Sequence, residues 1–167
     1  IRAKKMVKAK SVAQYLSLLP TIKLIGISGS LSFDNTKRTD DIDLFVVSAS
    51  NTLWLTRLLC ITLLEIMGGR RRPKDRKVKD KVCLNMFADE RFLRIPKNLQ
   101  NLYTAHDVCQ LKVLVNREQT YERFLHANKW VKKFLPNALP KEKGKVLRVK
   151  EKQKILFPMP FPLYPLD

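Results

Sequence analysis

Asp41 and Asp43 flank a single apolar residue, Ile42, and follow the small-residue turn Ser28-Gly29-Ser30 by one polar loop. Residues two apart in a strand face the same side, so this spacing predicts two carboxylates whose oxygens converge. Ile42 and Leu44 then face the core. Convergent carboxylates suit Mg²⁺, a hard cation that prefers oxygen ligands and is often completed by substrate phosphates. A glycine beside them allows close backbone approach to a phosphate, and nearby amides and the Ser30 hydroxyl can donate to it. The parts fit a metal-dependent transfer of a phosphate-bearing group.

Two apolar runs must hold these groups. Residues 22–27 read as a first strand ending in the turn, and 42–47 as a second that carries the carboxylates at its start. Residues 3–19 place apolar side chains at helical spacing with lysines between them, and Pro20 closes that helix. A second helix is expected from about 51 to 67, with Ser48 or Ser50 as its cap and Gly68-Gly69 at its end. Arg57 and Glu65 lie inside it, so it reads as a core helix rather than a membrane span. Residues 81–87 (KVCLNMF) read as a third strand with Cys83, Asn85 and Phe87 on one face. The order predicts an α/β (α+β) protein with a small mixed sheet backed by helices.

The stretch from Ile25 to Val47 resembles the signature of the polymerase-beta-like nucleotidyltransferase superfamily, above all its minimal single-domain members. That signature is a hydrophobic residue, Gly-Ser, about ten residues, then Asp-x-Asp in an apolar strand; Gly29, Ser30, Asp41 and Asp43 match it. A looser likeness runs to about Phe87. The resemblance implies transfer of a nucleoside monophosphate from an NTP, such as ATP, to an acceptor hydroxyl with release of pyrophosphate. It also implies that Asp41 and Asp43 hold two Mg²⁺ ions, and that Gly29 and Ser30 bind the phosphates. In fully armed members a third carboxylate lies on the third strand. Here the matching position is Asn85, which can position an acceptor but cannot act as a general base near neutral pH. Asp89 has the same parity but lies ~13 Å further along an extended strand. An antitoxin-like protein AMP-transferase and a catalytically degenerate nucleic-acid-binding protein of the same fold are the alternatives.

Charge points to the acceptor. The net charge of +18 favours polyanions, RNA first, through phosphate contacts that release counterions. Arg70, Arg71, Arg72, Lys74, Arg76 and Lys77 form a nearly uninterrupted basic block beside the third strand, and polyanion contact is expected there. Lys37 and Arg38, in the loop between Ser30 and Asp41, are candidates for balancing triphosphate charge. A protein partner is the other acceptor class.

Residues 1–100 are expected to form the nucleotidyltransferase core and 101–140 a helical extension. Residues 141–167 form a tail that is basic, then rich in proline. Two helices are expected between 101 and 134, the first capped by Thr104 with Leu111, Leu114 and Val115 on its apolar face. The second carries Tyr121, Phe124, Trp130 and Val131 as an aromatic-rich core stripe. Three widely spaced cysteines show no zinc spacing and read as reduced thiols of a cytoplasmic protein. No cleavage pattern marks the basic N-terminus as a signal peptide. The chain begins at Ile1, the start expected of a fragment or a processed product.

Overall fold

The apolar runs on either side of the Gly-Ser turn form β1 (Ile22–Ser28) and β2 (Ile42–Ser48), an antiparallel pair at the centre of a four-stranded mixed sheet. The computed structural model describes residues 1–33, 36–72, 74–76 and 78–138. Lys77 of the basic block and the basic, proline-rich tail lie outside the described residues.

β3 (Val82–Asp89) runs parallel to β2, and β4 (Lys112–Asn116) runs antiparallel to β1, giving the order β3-β2-β1-β4. Both central strands are buried nearly throughout, which explains why they read as continuous apolar runs rather than as alternating ones. Helices cover both faces. On one face α1 (Arg2–Leu16) and α2 (Leu53–Ile66) pack onto Ile25, Ile27, Leu44 and Val46 through Ala9, Val12, Leu16, Cys60 and Leu64. On the other, α3 (Leu102–Cys109) and α4 (Thr120–Ala127) pack onto Leu24, Phe45 and Val47. Each fully buried Leu or Ile contributes about 1.5–3 kcal/mol, so these two cores hold the sheet.

The expected pair of helices across 101–134 is corrected by β4. Leu114 and Val115 are buried in the sheet, not on a helix face. Val113 and Val115 are β-branched and favour the pleated surface, and the strand covers an edge of β1 that would otherwise be left open. The aromatic stripe is core as expected, with Tyr121, Phe124, Trp130 and Val131 buried. The helix caps also differ. Asn101, not Thr104, caps α3: its side chain accepts from the Thr104 amide, and Thr104 answers on the Asn101 amide, a reciprocal capping box. Thr52 precedes α2, while Ser48 remains in β2.

Among the described residues no helix is long and apolar enough to cross a membrane.

Candidate nucleotide and metal site

β1, β2 and β3 place three side chains in one row at one end of the sheet. Ser28 is opposite Asp43 across the antiparallel pair, and Asp43 is opposite Cys83 across the parallel one. The row shares its face with Phe45 and Val47, two and four residues further along β2. Asp41, just before β2, joins it: one ligand atom each from Asp41, Asp43 and Cys83 lie within 4.8 Å of one another.

The turn closes over this row. Gly29 has φ +64, a left-handed conformation that side chains rarely adopt, and a Cβ there would run into Asp43 Oδ2. The backbone therefore lies directly against the carboxylate. A short 3₁₀ turn starts at Gly29, fastened by the Ser32 amide and hydroxyl, which donate to Gly29 O at 2.9 and 2.7 Å. Amides at the start of such a turn have no partner within it and are open to an anion.

A buried lysine shapes the loop between the turn and Asp41. Lys5 of α1 is 2% exposed, and its Nζ donates to Lys37 O at 2.6 Å and Asp40 O at 2.5 Å. The Lys37 amide in turn donates to Asp40 Oδ2 at 2.8 Å. That bond, together with the Ser30 hydroxyl, holds the Asp40 carboxyl below the usual carboxylate range. Asp40 is thus a loop anchor, consistent with its opposite parity to Asp41. Lys37 and Arg38 are exposed at this loop, and Lys37 is held through its backbone rather than its side chain.

The site is electrostatically loaded. Burial pushes the Asp43 carboxyl up, and the neighbouring Asp41 charge adds to that, against hydrogen bonding from Cys83 and the charge of Arg71. Burial and the same two carboxylates push the Cys83 thiol up. Arg71 Nη1 donates to Asp41 Oδ2 at 2.5 Å. Pairing between residues 69–71 and β3 delivers it there: the Arg71 amide donates to Val82 O, and the Val82 amide to Gly69 O.

The third position differs from the sequence expectation. Cys83, not Asn85, is opposite Asp43. The β2–β3 register shifts between Leu44 and Phe45, leaving Asn85 as the extra, exposed residue of a bulge. The bulge also takes Phe87 off the face of Cys83: Met86 pairs with Phe45, and Phe87 with Val46. Asp89 is opposite Ser48 at the far end of β2 and accepts from the Asn51 amide and from Arg91. Asp89 is structural. Cys83 was legible only through register, since it is the second residue of its strand as Asp43 is of β2.

The basic block is largely folded back on the protein. Arg70 and Arg72 both clasp Glu65 of α2, at 2.6 and 2.7 Å, and hold its carboxyl at about 2. Arg71 is on Asp41, while Lys74 and Arg76 are exposed.

The orphaned polar atom of the row bears on what the site holds. Ser28 Oγ is buried and has no hydrogen-bond partner. An unmet hydroxyl beside two carboxylates, with Gly29 backbone pressed against one of them, fits a cation with a phosphate-bearing ligand.

No family model matches the chain, and no curated protein does. The chain is similar to solved toxin–antitoxin structures at low identity. One, crystallised with AMP-PNP, shares 20% identity over 75% of this chain and 88% of that one, with a TM-score of 0.45. The MntA-HepT toxin–antitoxin complex gives 18% identity over 78% and 88%, with a TM-score of 0.39. The Shewanella oneidensis complex of a tri-AMPylated HEPN toxin with its MNT antitoxin gives 19% over 79% and 87%, with a TM-score of 0.36.

Proposed function

We propose that this chain is a polymerase-beta-like nucleotidyltransferase, moving a nucleoside monophosphate from an NTP to an acceptor hydroxyl with release of pyrophosphate. The observation that carries the proposal is the packing of Gly29 backbone against Asp43, within reach of Asp41. A phosphate-binding turn and a pair of cation-binding carboxylates then share one small volume.

Asp41 and Asp43 would hold Mg²⁺, with Ser28 available as a further oxygen. When bound, the cation would neutralise the triphosphate and lower the pKa of the attacking hydroxyl. The turn at Gly29 and Ser30 orients the phosphates through backbone amides. Lys5 fixes the loop that carries Asp40 into Asp41, so the second carboxylate is placed by α1. Arg71, which donates to Asp41 Oδ2, would compete with a bound cation for that carboxylate and would lie close enough to add positive charge beside the phosphates. Among the described residues the Asp41–Asp43–Cys83 group holds two carboxylates, and solvent or a group on the acceptor would take the hydroxyl proton.

The acceptor is RNA or a protein. For RNA, Lys74 and Arg76, exposed residues of the described part of the basic block, can meet phosphates. A second reading, a nucleic-acid-binding derivative without turnover, draws on the thiol at the third position and on Arg71 occupying Asp41. Incubation with Mg²⁺ and each NTP, with RNA or with lysate protein, separates the readings. Pyrophosphate release that depends on one acceptor class and on Asp41 and Asp43 identifies the transferase. RNA binding without release, unaffected by Asp41→Ala, identifies the binder.

A further inference from the structure

We propose that Asp41, Asp43 and Cys83 form a mixed oxygen–sulfur site that binds a thiophilic divalent cation, zinc foremost, more tightly than magnesium. The inference rests on Asp41 and Asp43 being metal ligands, and adds which cation this centre prefers.

The geometry is set by the sheet. Cys83 is opposite Asp43 in the parallel β2–β3 register, which brings its sulfur beside the Asp43 carboxylate. Its sulfur and one oxygen each from Asp41 and Asp43 lie within 4.8 Å of one another. On the other flank of Asp43, Ser28 is 7% exposed and its hydroxyl has no partner. Adjacent residues across a sheet present their side chains to the same face. The buried, unmet hydroxyl is therefore turned toward the same space as the three ligand atoms. A buried hydroxyl left without a partner in this row is a group that the water of a bound cation would satisfy.

Ligand chemistry then selects the ion. Two carboxylates alone favour a hard cation, and magnesium demands oxygen ligands in near-octahedral array. Sulfur as the third ligand favours zinc, which takes mixed Cys and carboxylate sets in tetrahedral geometry. Three protein ligands leave one position open for water or a phosphate oxygen, as in catalytic zinc sites. Binding would release the thiol proton to solvent. Arg71 takes only Asp41 Oδ2, so the other oxygen of that carboxylate remains for the ion. Zinc and magnesium would compete for the same carboxylates, and zinc concentration would gate the centre.

The other thiols are separate. Cys60 is buried against α1 and the sheet, and Cys109 belongs with the α3–α4 core. A thiolate–metal signal can thus be assigned by substitution. The full chain, reduced and stripped with chelator, is titrated with Co²⁺ and read for the near-ultraviolet sulfur-to-cobalt charge-transfer band. One equivalent should raise the band, and Zn²⁺ should displace it. Cys83→Ser and Asp41→Ala/Asp43→Ala should abolish it, and Cys109→Ser should keep it. Cys83→Ser should weaken Zn²⁺ binding at least ~10-fold, with Mg²⁺ affinity unchanged within about twofold. Should Cys83→Ser fail to fold, alkylation of the wild-type chain decides: bound Zn²⁺ must protect Cys83 from iodoacetamide. Cobalt bound without the band, a band surviving Cys83→Ser, or no protection would overturn the zinc site while leaving carboxylate-bound Mg²⁺ intact. Failure of both Co²⁺ and Mg²⁺ to bind would overturn the site and the transferase reading together.

Discussion

Arg71 and Asp41 form an ion pair in which a guanidinium occupies one oxygen of a proposed metal ligand, Nη1 to Oδ2 at 2.5 Å. The arginine reaches it from a segment fastened to the first residue of β3, so the pair is fixed from both sides. A cation entering between Asp41 and Asp43 must share or displace this charge.

Arg71→Gln therefore tightens Mg²⁺ binding. One unit charge at about 4 Å is worth ~1 kcal/mol even in a water-like dielectric, or roughly fivefold in affinity. Global stability should change by about 1 kcal/mol or less, because the Arg71 side chain is 39% exposed. Titration calorimetry with Mg²⁺ checks this; unchanged or weaker binding removes Arg71 as a competitor.

Gly29→Ala tests the close approach. The left-handed backbone costs an alanine about 1–2 kcal/mol, and its Cβ must push Asp43 aside. Denaturant melts should register the stability loss. Nucleotide transfer should fall by about 100-fold, the cost of displacing a reacting group by ~1 Å.

Lys5→Met keeps the aliphatic stem in the core but removes both bonds to the loop carbonyls of Lys37 and Asp40. A loss of about 1–3 kcal/mol is expected from the unmet buried acceptors. Because the same loop leads into Asp41, Mg²⁺ affinity should fall along with stability. A stability loss with metal binding intact would separate the clamp from the site.

How much of this was legible in the sequence follows from locality. The Gly29 turn, Asp41 and Asp43 lie in one short stretch whose parity is set by strand geometry alone, and the structure places them together. Cys83 could be put on a face with Asn85, but that it and not Asn85 is opposite Asp43 depends on the register with β2, which sequence parity alone does not set. β4 was hidden for a related reason. LKVLVN satisfies helical spacing as well as alternation, and only the open edge of β1 decides between them. The clasp of Arg70 and Arg72 on Glu65 joins residues five and seven apart across a helix end, which a charge count alone cannot reveal.

Acid stability should depend on Asp89. Hydrogen bonds from Arg91, then burial opposing them, leave its carboxyl lowered to about 2 from an ordinary value near 3.8. A group lowered in the folded state stabilises above its unfolded pKa and loses that contribution as pH falls through the folded one. Asp89→Asn should thus destabilise at pH 7, and the gap from wild type should close between about pH 4 and pH 2. Urea melts across that range measure it. Asp43, raised by burial and by Asp41, has the opposite sign: stability is lost as pH rises from the ordinary carboxylate value through its raised one. Asp43→Asn should accordingly gain stability relative to wild type above that pH.

The most direct test of the central claim is transfer of label from an α-phosphate-labelled NTP, with Mg²⁺ and either RNA or lysate protein as acceptor. Acceptor labelling should be matched by pyrophosphate release and should fall at least ~100-fold in Asp41→Asn/Asp43→Asn. No labelling with any of the NTPs, or labelling that survives the double substitution, would contradict the claim.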